Sequence, residues 1–294
     1  ATTESTVVNV GGTLSSDTVW TNNQIYVVTN NIIVPDGVTL TIRPGTLVKF
    51  NQDRALIVNG TLIADGTALS PIHFTSAAIN PRPGDWGTTY SGITTAGIIF
   101  SPTSQPAQFD ETGAYQGASL IRQAVIEYSK GLLLKDAEPF IDHNLISNNS
   151  GQFGVIYVWT AEPTISNNRI ISNAADLGST VYIYNPYNEN NAIFRQNLFT
   201  DNSSIESLIN GNGTIISNTI TGNLINSFAS GSIMRATVRV DGGLLSFRGN
   251  NIYANQSQHD VAMAYDTGYP VSASLNYWGT TNLTEVASRI DDLY

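Results

Sequence analysis

The chain has 294 residues and a formal net charge of −10, with 12% charged and 41% hydrophobic residues. So little charge beside so many aliphatic residues argues against disorder, and an acidic chain without basic clusters is not expected to bind nucleic acid. The 30 Asn, 25 Gly and abundant Ser and Thr favour a long β-rich scaffold over a helical bundle, which would need more Glu, Lys, Ala and Leu.

Two further classes of structure are excluded by what the sequence lacks. There are no cysteines, so disulfides and cysteine-based zinc sites are ruled out. No apolar run approaches the roughly 18 residues that span a bilayer, so no membrane insertion is expected. The small polar start, residues 1–6, suggests either the end left by signal cleavage of a secreted precursor or a trimmed start.

The first third of the chain consists of short β-rich runs. Residues 1–34 are predicted to form an N-terminal cap and first coil. Runs at 37–42, 45–50 and 60–63 follow, separated by Pro-Asp-Gly and Pro-Gly turns. Residues 81–87 and 101–117 are predicted to be loops within the same architecture, because strand patterning resumes directly after each.

The second half contains an internal repeat, Ile/Phe-x-x-Asn-x-Ile/Phe-x-x-Asn. Full copies begin at Ile141, Ile165, Phe194, Ile215 and Phe247, and degenerate copies begin near positions 121 and 273. Such self-similarity indicates a solenoid, and the irregular spacing of the copies is expected where insertions leave the coils as loops.

The pattern predicts how each coil is built. Strand residues alternate between two faces, so the apolar pair around each Asn points into one core. A buried Asn costs free energy unless its amide is hydrogen-bonded. Coils stacked about 4.8 Å apart place Asn on Asn, so that each amide can bond its neighbours in an Asn ladder. The Asn is also expected to adopt the left-handed backbone conformation at the corner.

The end of the chain has a different pattern. Asn282 to Glu285 form a capping-box arrangement, and Val286, Ile290 and Leu293 follow at helical spacing. The prediction is a single domain, 1–294, with coils over 35–281 and a helix over 282–294 that covers the last coil and protects its open edge.

With these features the chain resembles the secreted right-handed parallel β-helix repeat proteins, a pectate-lyase-like solenoid family. The resemblance rests on the Asn repeat, the Val-Thr-Leu-Thr-Ile run at 38–42, the Gly-Asp-Trp-Gly motif at 84–87 and the Asn-Tyr-Trp-Gly motif at 276–279. It implies an all-β, single-stranded right-handed parallel β-helix, life outside the cell or on its surface, and a polysaccharide or cell-envelope glycan as partner. It does not imply one activity, because the fold carries many.

Aligning the coils on their Asn identifies a candidate binding face. The residues predicted to point outward from three successive strands are Lys135, Tyr157 with Trp159, and Tyr182 with Tyr184. The four rings would form an exposed two-by-two patch suited to sugar rings. Tyr187 could extend this patch, and Arg235 and Arg239, two to three coils away, could contact acidic sugars. The alternative is that the rings only stabilise the sheet or lie under a long loop.

The catalytic signals are weaker. The Gly-His-Gly and clustered Asp motifs of polygalacturonase-like hydrolases are absent, and His73, His143 and His259 have no metal-ligand spacing. No metal or cofactor is therefore expected. Glu138 and Glu162 each precede a proline, one coil apart, and would lie about 5 Å from one another. That spacing suits a retaining glycosidase pair or a cation site, but also two solvated corner residues.

The sequence therefore favours a non-catalytic scaffold that binds polysaccharide through a lateral aromatic face. One alternative is a polysaccharide lyase, epimerase or glycosidase that uses Glu138 and Glu162. The other is a structural subunit of a fibre or layer that self-associates through its coil ends, which an exposed apolar first coil at residues 7–10 would favour.

Overall fold

A computed structural model describes residues 5–92, 94–185, 192–226, 235–240, 245–263 and 273–291. These residues form 36 strands and one helix, α1 (Leu283–Ser288). In chain order the strands are β1 (Thr6–Thr13), β2 (Thr18–Trp20), β3 (Gln24–Val34), β4 (Thr39–Ile42), β5 (Leu47–Phe50), β6 (Leu56–Val58), β7 (Thr61–Asp65), β8 (Ile72–Ser76), β9 (Thr88–Tyr90), β10 (Thr94–Ala96), β11 (Ile98–Phe100), β12 (Gln108–Phe109), β13 (Tyr115–Gly117), β14 (Leu120–Arg122), β15 (Ala124–Glu127), β16 (Leu132–Lys135), β17 (Phe140–Asp142), β18 (Leu145–Ser147), β19 (Ser150–Gly151), β20 (Ile156–Trp159), β21 (Thr164–Ser166), β22 (Arg169–Ile171), β23 (Ala174–Ala175), β24 (Val181–Tyr184), β25 (Ile193–Arg195), β26 (Leu198–Thr200), β27 (Ser203–Ser204), β28 (Ser207–Asn210), β29 (Gly213–Ile216), β30 (Thr219–Thr221), β31 (Leu224–Ile225), β32 (Ala236–Val240), β33 (Leu245–Arg248), β34 (Asn251–Tyr253), β35 (His259–Met263) and β36 (Ile290–Asp291).

Most of the strands form three parallel faces that wind around one core, which confirms the predicted parallel β-helix, and β19, β23, β27 and β31 form a short fourth parallel sheet. Face A runs β1, β3, β5, β8, β15, β18, β22, β26, β30, β34. Face B continues from the second half of β3 through β6, β11, β16, β20, β24, β28, β32, β35 and β36. Face C runs β2, β4, β7, β14, β17, β21, β25, β29, β33. Apart from β35 with β36, the strands of these three faces pair with their counterparts one coil away rather than with their sequence neighbours.

The core is the column of apolar residues that the repeat predicts. The two apolar positions of every full copy are buried: Ile141, Ile146, Ile165, Ile170, Phe194, Phe199, Ile215, Ile220, Phe247 and Ile252. Burial of one such side chain contributes about 1.5–3 kcal/mol, so the stacked columns supply much of the driving force for folding.

Two Asn ladders follow the corners on either side of face A. One ladder consists of Asn144, Asn168, Asn197, Asn218, Asn250 and Asn276, and the other of Asn149, Asn173, Asn202, Asn223 and Asn255. In a typical rung, Asn168 Nδ2 donates to Asn197 Oδ1 at 3.0 Å and to the Ile141 carbonyl at 2.9 Å. Each buried amide is thus bonded both to the next coil and to the preceding one, which offsets its desolvation.

The prediction that the ladder Asn itself is left-handed is wrong. The positive φ falls on the residue immediately before it, as at His143 (φ 55°), Asn167 (φ 56°) and Gln196 (φ 56°). That residue makes the corner and points outward, which leaves the following Asn free to direct its amide inward. One residue therefore adopts the left-handed conformation, and the Asn that follows it buries its amide.

Two insertions pack against the coils. The motif at 84–87 buries Trp86, which stacks on Phe50 at 4.0 Å between ring centroids and donates its Nε1–H to the Glu127 carbonyl at 2.8 Å. Two antiparallel hairpins leave the solenoid, β9 with β10 and β12 with β13. The second hairpin lies in the segment predicted to be a loop, and Phe109 and Tyr115 on it contact Phe140 of face C.

The C-terminal coil is covered by a short helix, as predicted, but the helix ends early. Asn282 caps it by accepting hydrogen bonds from the backbone N–H groups of Thr284 and Glu285. Val286 packs against the core. The chain then leaves the helix, and Ile290 lies in β36, which pairs with β35. Leu293 lies outside the described residues. The open edge of face B is therefore closed by a strand as well as covered by a helix.

Candidate functional site

Face B carries the aromatic residues in the register that the sequence predicts. Leu133, Tyr157 and Tyr182 are paired across β16, β20 and β24, and Lys135, Trp159 and Tyr184 are paired one step further along the same strands. Alternation along each strand turns all of these side chains outward. We refer to Tyr157, Trp159, Tyr182 and Tyr184 as the aromatic strip.

The four rings of the aromatic strip touch one another. Ring centroids lie 5.7 Å apart for Tyr157 and Trp159, 5.2 Å for Tyr157 and Tyr182, 5.4 Å for Trp159 and Tyr184, and 6.4 Å for Tyr182 and Tyr184. These distances are those of favourable aromatic contacts. Held on two adjacent strands, β20 and β24, the rings form a preorganised surface.

The exposure of the strip differs from the prediction. Tyr157 is only 6% exposed, so the expected two-by-two exposed patch is wrong at this residue. Trp159 and Tyr182 are partly exposed, and Tyr184 is exposed at 38%. Burial, together with the neighbouring Tyr182 and Tyr184, raises the pKa of the Tyr157 phenol. Three rings thus present a surface to solvent, and the buried fourth ring packs against Trp159 and Tyr182.

Tyr157 is buried because face B has a second apolar cluster on its outer side. The cluster contains Ala55, Ala96, Ile99, Leu133 and Tyr157, with Ile57, Tyr90, Phe153, Trp159 and Tyr182 packed against it. Sequence reasoning missed this cluster, although a signal was present. The uninterrupted apolar runs of β11 and β16 are typical of strands buried on both sides.

Lys135 lies at the edge of the strip but its charge is balanced. Its Nζ is 5.7 Å from the Trp159 ring centroid and 2.8 Å from Asp136 Oδ2. Burial tends to raise the pKa of Asp136, but hydrogen bonds from Lys135 and Thr160 outweigh burial and hold it below its usual value. Lys135 thus contributes a cation–π contact and an ion pair, with little net positive charge.

At the C-terminal side of the strip the outward column continues through Asn210 to Arg239, two coils beyond Tyr182. The Arg239 side chain is only 12% exposed, and its Nη1 lies 3.9 Å from Glu206 Oε2. Asn210 Nδ2 donates to the same carboxylate, and the buried Asn210 Oδ1 has no hydrogen-bond partner. The predicted contact of Arg239 with acidic sugars is thus hindered by burial and by Glu206.

One of the expected contributors, Arg235, is not brought to the strip. Arg235 precedes β32, at the opposite end of that strand from Arg239, and lines a separate shallow depression with residues around 256–258. Tyr187 lies outside the described residues.

Glu138 and Glu162 occupy equivalent turns that follow β16 and β20. Glu138 lies two residues before Phe140, and Glu162 lies two residues before Thr164. Phe140 and Thr164 are paired on face C, and both Glu side chains are exposed. Burial and the nearby Glu162 carboxylate raise the pKa of Glu138. The two carboxylates therefore interact, three residues beyond Lys135 and Trp159, at the margin of the aromatic strip.

The other titratable groups in the described part of the chain do not assemble into a metal site. Among the residues that the structure describes, no three His, Cys, Asp or Glu side chains come together as metal ligands would. His143 Nδ1 lies 2.8 Å from Asp142 Oδ2, and His259 lies near Asp291, 3.8 Å away. No described helix has the length and apolar character needed to cross a bilayer.

Comparison with known families agrees with the architecture. A family model for the right-handed β-helix region matches residues 89–252, and one for a pectate-lyase-like β-helix domain matches residues 12–98. No curated protein and no solved structure matches the chain. The matches identify the fold, and they do not identify a ligand or an activity.

Proposed function

The chain belongs to the right-handed β-helix family, and from that premise we propose that it is an extracellular or cell-surface scaffold that binds polysaccharide through the aromatic strip without catalysing a reaction on it. The observation that carries the proposal is the set of three partly exposed, mutually contacting rings, Trp159, Tyr182 and Tyr184, on one lateral face.

The physical argument rests on shape and preorganisation. Flat rings with polar tips complement the apolar faces of sugar rings, while Tyr hydroxyls can bond the sugar hydroxyls. Because the strip is built on paired strands over a buried base, little conformational entropy is lost when a ligand binds. Exposed aromatic patches of this kind on a soluble scaffold commonly mark recognition surfaces.

The test is a pair of matched substitutions measured against immobilised polysaccharides by affinity electrophoresis or calorimetry. Trp159→Ala should weaken binding by at least about tenfold, roughly 1.4 kcal/mol, as expected for a central aromatic contact. Tyr253→Ala removes an exposed ring from face A, outside the strip, and should leave affinity unchanged. Equal binding by both variants and the parent protein would refute the role of the strip.

The same preparations separate binding from catalysis. If Glu138 and Glu162 acted as a glycosidase pair, or the protein as a lyase, incubation with polysaccharide would release reducing ends or unsaturated products absorbing in the ultraviolet. The proposed function predicts neither product. Loss of a measured activity in Glu138→Gln would instead establish the enzyme.

A second candidate, self-association at the N-terminal end, is favoured by a specific observation. Val7 is 59% exposed, and in the described part of the chain β1 pairs only with β3. An unpaired strand edge beside exposed apolar side chains can pair with another chain. Because α1 and β36 cover the other end, the geometry favours pairing of two N-terminal ends over long fibres. Sedimentation of the parent protein and Val7→Lys distinguishes these states, since the substitution should dissociate any such dimer.

A further inference from the structure

The second Asn ladder ends at Asn255, where its last rung is open. In every earlier rung the backbone N–H and the Nδ2 of one Asn both donate to the Oδ1 of the Asn in the next coil. Asn223 donates to Asn255 in this way, at 3.1 and 2.9 Å. Of the described Asn residues after Asn255, Asn276 belongs to the other ladder and Asn282 caps α1. The described part of the chain therefore places no Asn on the two donors of Asn255.

The end of this ladder is accessible, unlike its interior. The four preceding members are at most 2% exposed, whereas Asn255 is partly exposed. The other ladder ends differently, because the Asn276 amide donates both to the Phe247 carbonyl of the preceding coil and to the nearby Ala273 carbonyl. In the described part of the chain, Asn255 Nδ2 donates only to the Ile220 carbonyl, so one of its two N–H groups is left for another acceptor.

A cavity of about 220 Å³ lies beside Asn255, on the side that the open rung faces. Arg289 forms part of its wall and belongs to the segment that stacks beyond β35, because the Asp260 N–H donates to the Arg289 carbonyl at 2.7 Å. The earlier ladder members direct their donors toward the next coil, which is the same direction. Asn255 therefore presents its backbone and amide N–H groups toward the cavity.

The rest of the cavity wall is polar. The Asp260 side chain is 7% exposed, and the buried His259 Nδ1 has no hydrogen-bond partner among the described residues. Arg289 lies 3.4 Å from Asp260 and 2.6 Å from Glu285, so two carboxylates already balance its charge. An anionic ligand would meet like charge here, whereas an uncharged ligand with several polar groups finds donors and acceptors in place.

The open rung has the donors for one amide oxygen. In the buried rungs, the group that the two N–H donors hold is the acetamide end of an Asn side chain. The acetamido substituent of an N-acetylated sugar carries the same carbonyl oxygen. Its N–H points away from that oxygen and so into the cavity, where the Asp260 carboxylate is an acceptor. A hydroxyl in the same place lacks both the carbonyl oxygen and the N–H.

We propose that the C-terminal cavity binds an N-acetylated sugar unit, whose acetamido oxygen takes the place of the missing ladder Asn on the backbone and amide N–H groups of Asn255. This inference goes beyond the proposed function, because the cavity adjoins β35, three coils beyond Tyr182. Its volume lies below the about 300–1,000 Å³ of pockets for larger ligands, so it holds a single sugar unit. An adjoining depression of about 520 Å³, which shares Ser257 and Gln258, leaves room for the next unit of a chain.

The experiment compares two disaccharides by calorimetry with the full chain. The β-1,4-linked disaccharide of N-acetylglucosamine carries acetamido groups, and cellobiose has the same backbone with hydroxyls in their place. Both are titrated into the parent protein and into Trp159→Ala, in which the aromatic strip lacks its central ring. We expect the N-acetylated disaccharide to bind at least about tenfold more tightly than cellobiose to both proteins, because it gains two hydrogen bonds at Asn255.

Matched variants at the two ladder ends locate the site. Asn255→Asp keeps the acceptor oxygen for Asn223 but removes the amide donor, and it should abolish the preference for the N-acetylated disaccharide. Asn276→Asp makes the same change at the end of the other ladder and should keep the preference. Gln258→Trp enlarges an exposed side chain of the cavity wall without touching a ladder, and it should also abolish the preference. Melting curves of the three variants verify that each is folded.

The outcomes distinguish this inference from the proposed function. Equal affinity of the parent protein for both disaccharides overturns the inference, and so does a preference that is lost in Trp159→Ala but kept in Asn255→Asp. The second result retains the aromatic strip as the binding surface. Acetamide that binds as tightly as the N-acetylated disaccharide shows a site for an amide alone and overturns the sugar as its ligand. If Trp159→Ala changes the binding of no polysaccharide while the preference at Asn255 remains, the proposed function fails and this inference stands.

Discussion

Replacing Asn197 with alanine removes four side-chain hydrogen bonds from the middle of a ladder. Its Oδ1 accepts from the backbone and side-chain nitrogens of Asn168, and its Nδ2 donates to Asn218 Oδ1 and to the Ile165 carbonyl, all within 2.9–3.0 Å. The site is 1% exposed, so water cannot replace these partners. Asn168 Nδ2 retains the Ile141 carbonyl, whereas the Asn168 backbone N–H loses its acceptor.

The expected cost follows from these groups. Each buried donor or acceptor left without a partner costs about 1–3 kcal/mol, and two backbone groups are affected. Asn197→Ala should therefore lower the free energy of unfolding by about 3–5 kcal/mol, measured as a shift of the denaturant midpoint at unchanged slope. Asn251→Ala, at an exposed strand position, should change it by less than about 0.5 kcal/mol. Equal midpoints for the two variants would refute the view that the ladder amides stabilise the coils.

Two further substitutions test the insertion and the C-terminal cap. A methyl group on Gly97 would lie 2.6 Å from the buried Trp86 ring, whereas a methyl group on Gly117 would meet nothing within 4 Å. Gly97→Ala should therefore lower the melting temperature and weaken the near-ultraviolet dichroism of the tryptophan. Gly117→Ala should leave both quantities unchanged. Arg289→Ala removes the ion pair to Asp260, a buried carboxyl whose pKa is raised by burial, against the opposing effect of Arg289. Without the arginine that pKa rises further, and a group with a raised folded-state pKa loses its contribution to stability as the pH increases through it. Hydrogen exchange should therefore show that the last coil of the variant opens more readily at neutral pH than at mildly acidic pH, and a loss of protection independent of pH would contradict the assignment.

These tests separate the residues that stabilise the coils from the residues that bind a ligand. The ladder, the buried Trp86 and the cap concern the stability of the coils, and substitutions there should alter binding only through folding. Trp159, Tyr182 and Tyr184 lie on the outer surface, where substitutions should alter binding with little effect on stability. A variant that broke this division, such as Trp159→Ala with a large loss of stability, would assign the strip to the packing of face B.

The solenoid can be recognised from the amino-acid pattern alone, because its periodic signal is local and repeated. In successive copies of the repeat, Asn lies at a fixed distance from Ile or Phe. This spacing predicts that the amides stack beside apolar columns, and the observed ladders and core follow that pattern residue by residue. The register of Tyr157 with Tyr182, and of Trp159 with Tyr184, followed from the same alignment. Periodicity determines which face a side chain takes, and this information is contained in a few consecutive residues.

The exposure of the aromatic strip and the charge balance around it depend on long-range contacts that form only when the chain is folded. Tyr157 is buried because the outer cluster packs around it, and members of that cluster such as Ala55 and Tyr90 come from distant parts of the chain. Arg239 is withdrawn from the surface by Glu206, a partner on the neighbouring coil. Ile290 lies in a strand, not a helix, because the edge of β35 was available to pair with it. Accessibility and charge balance depend on contacts between insertions and coils that the spacing of the repeat does not encode.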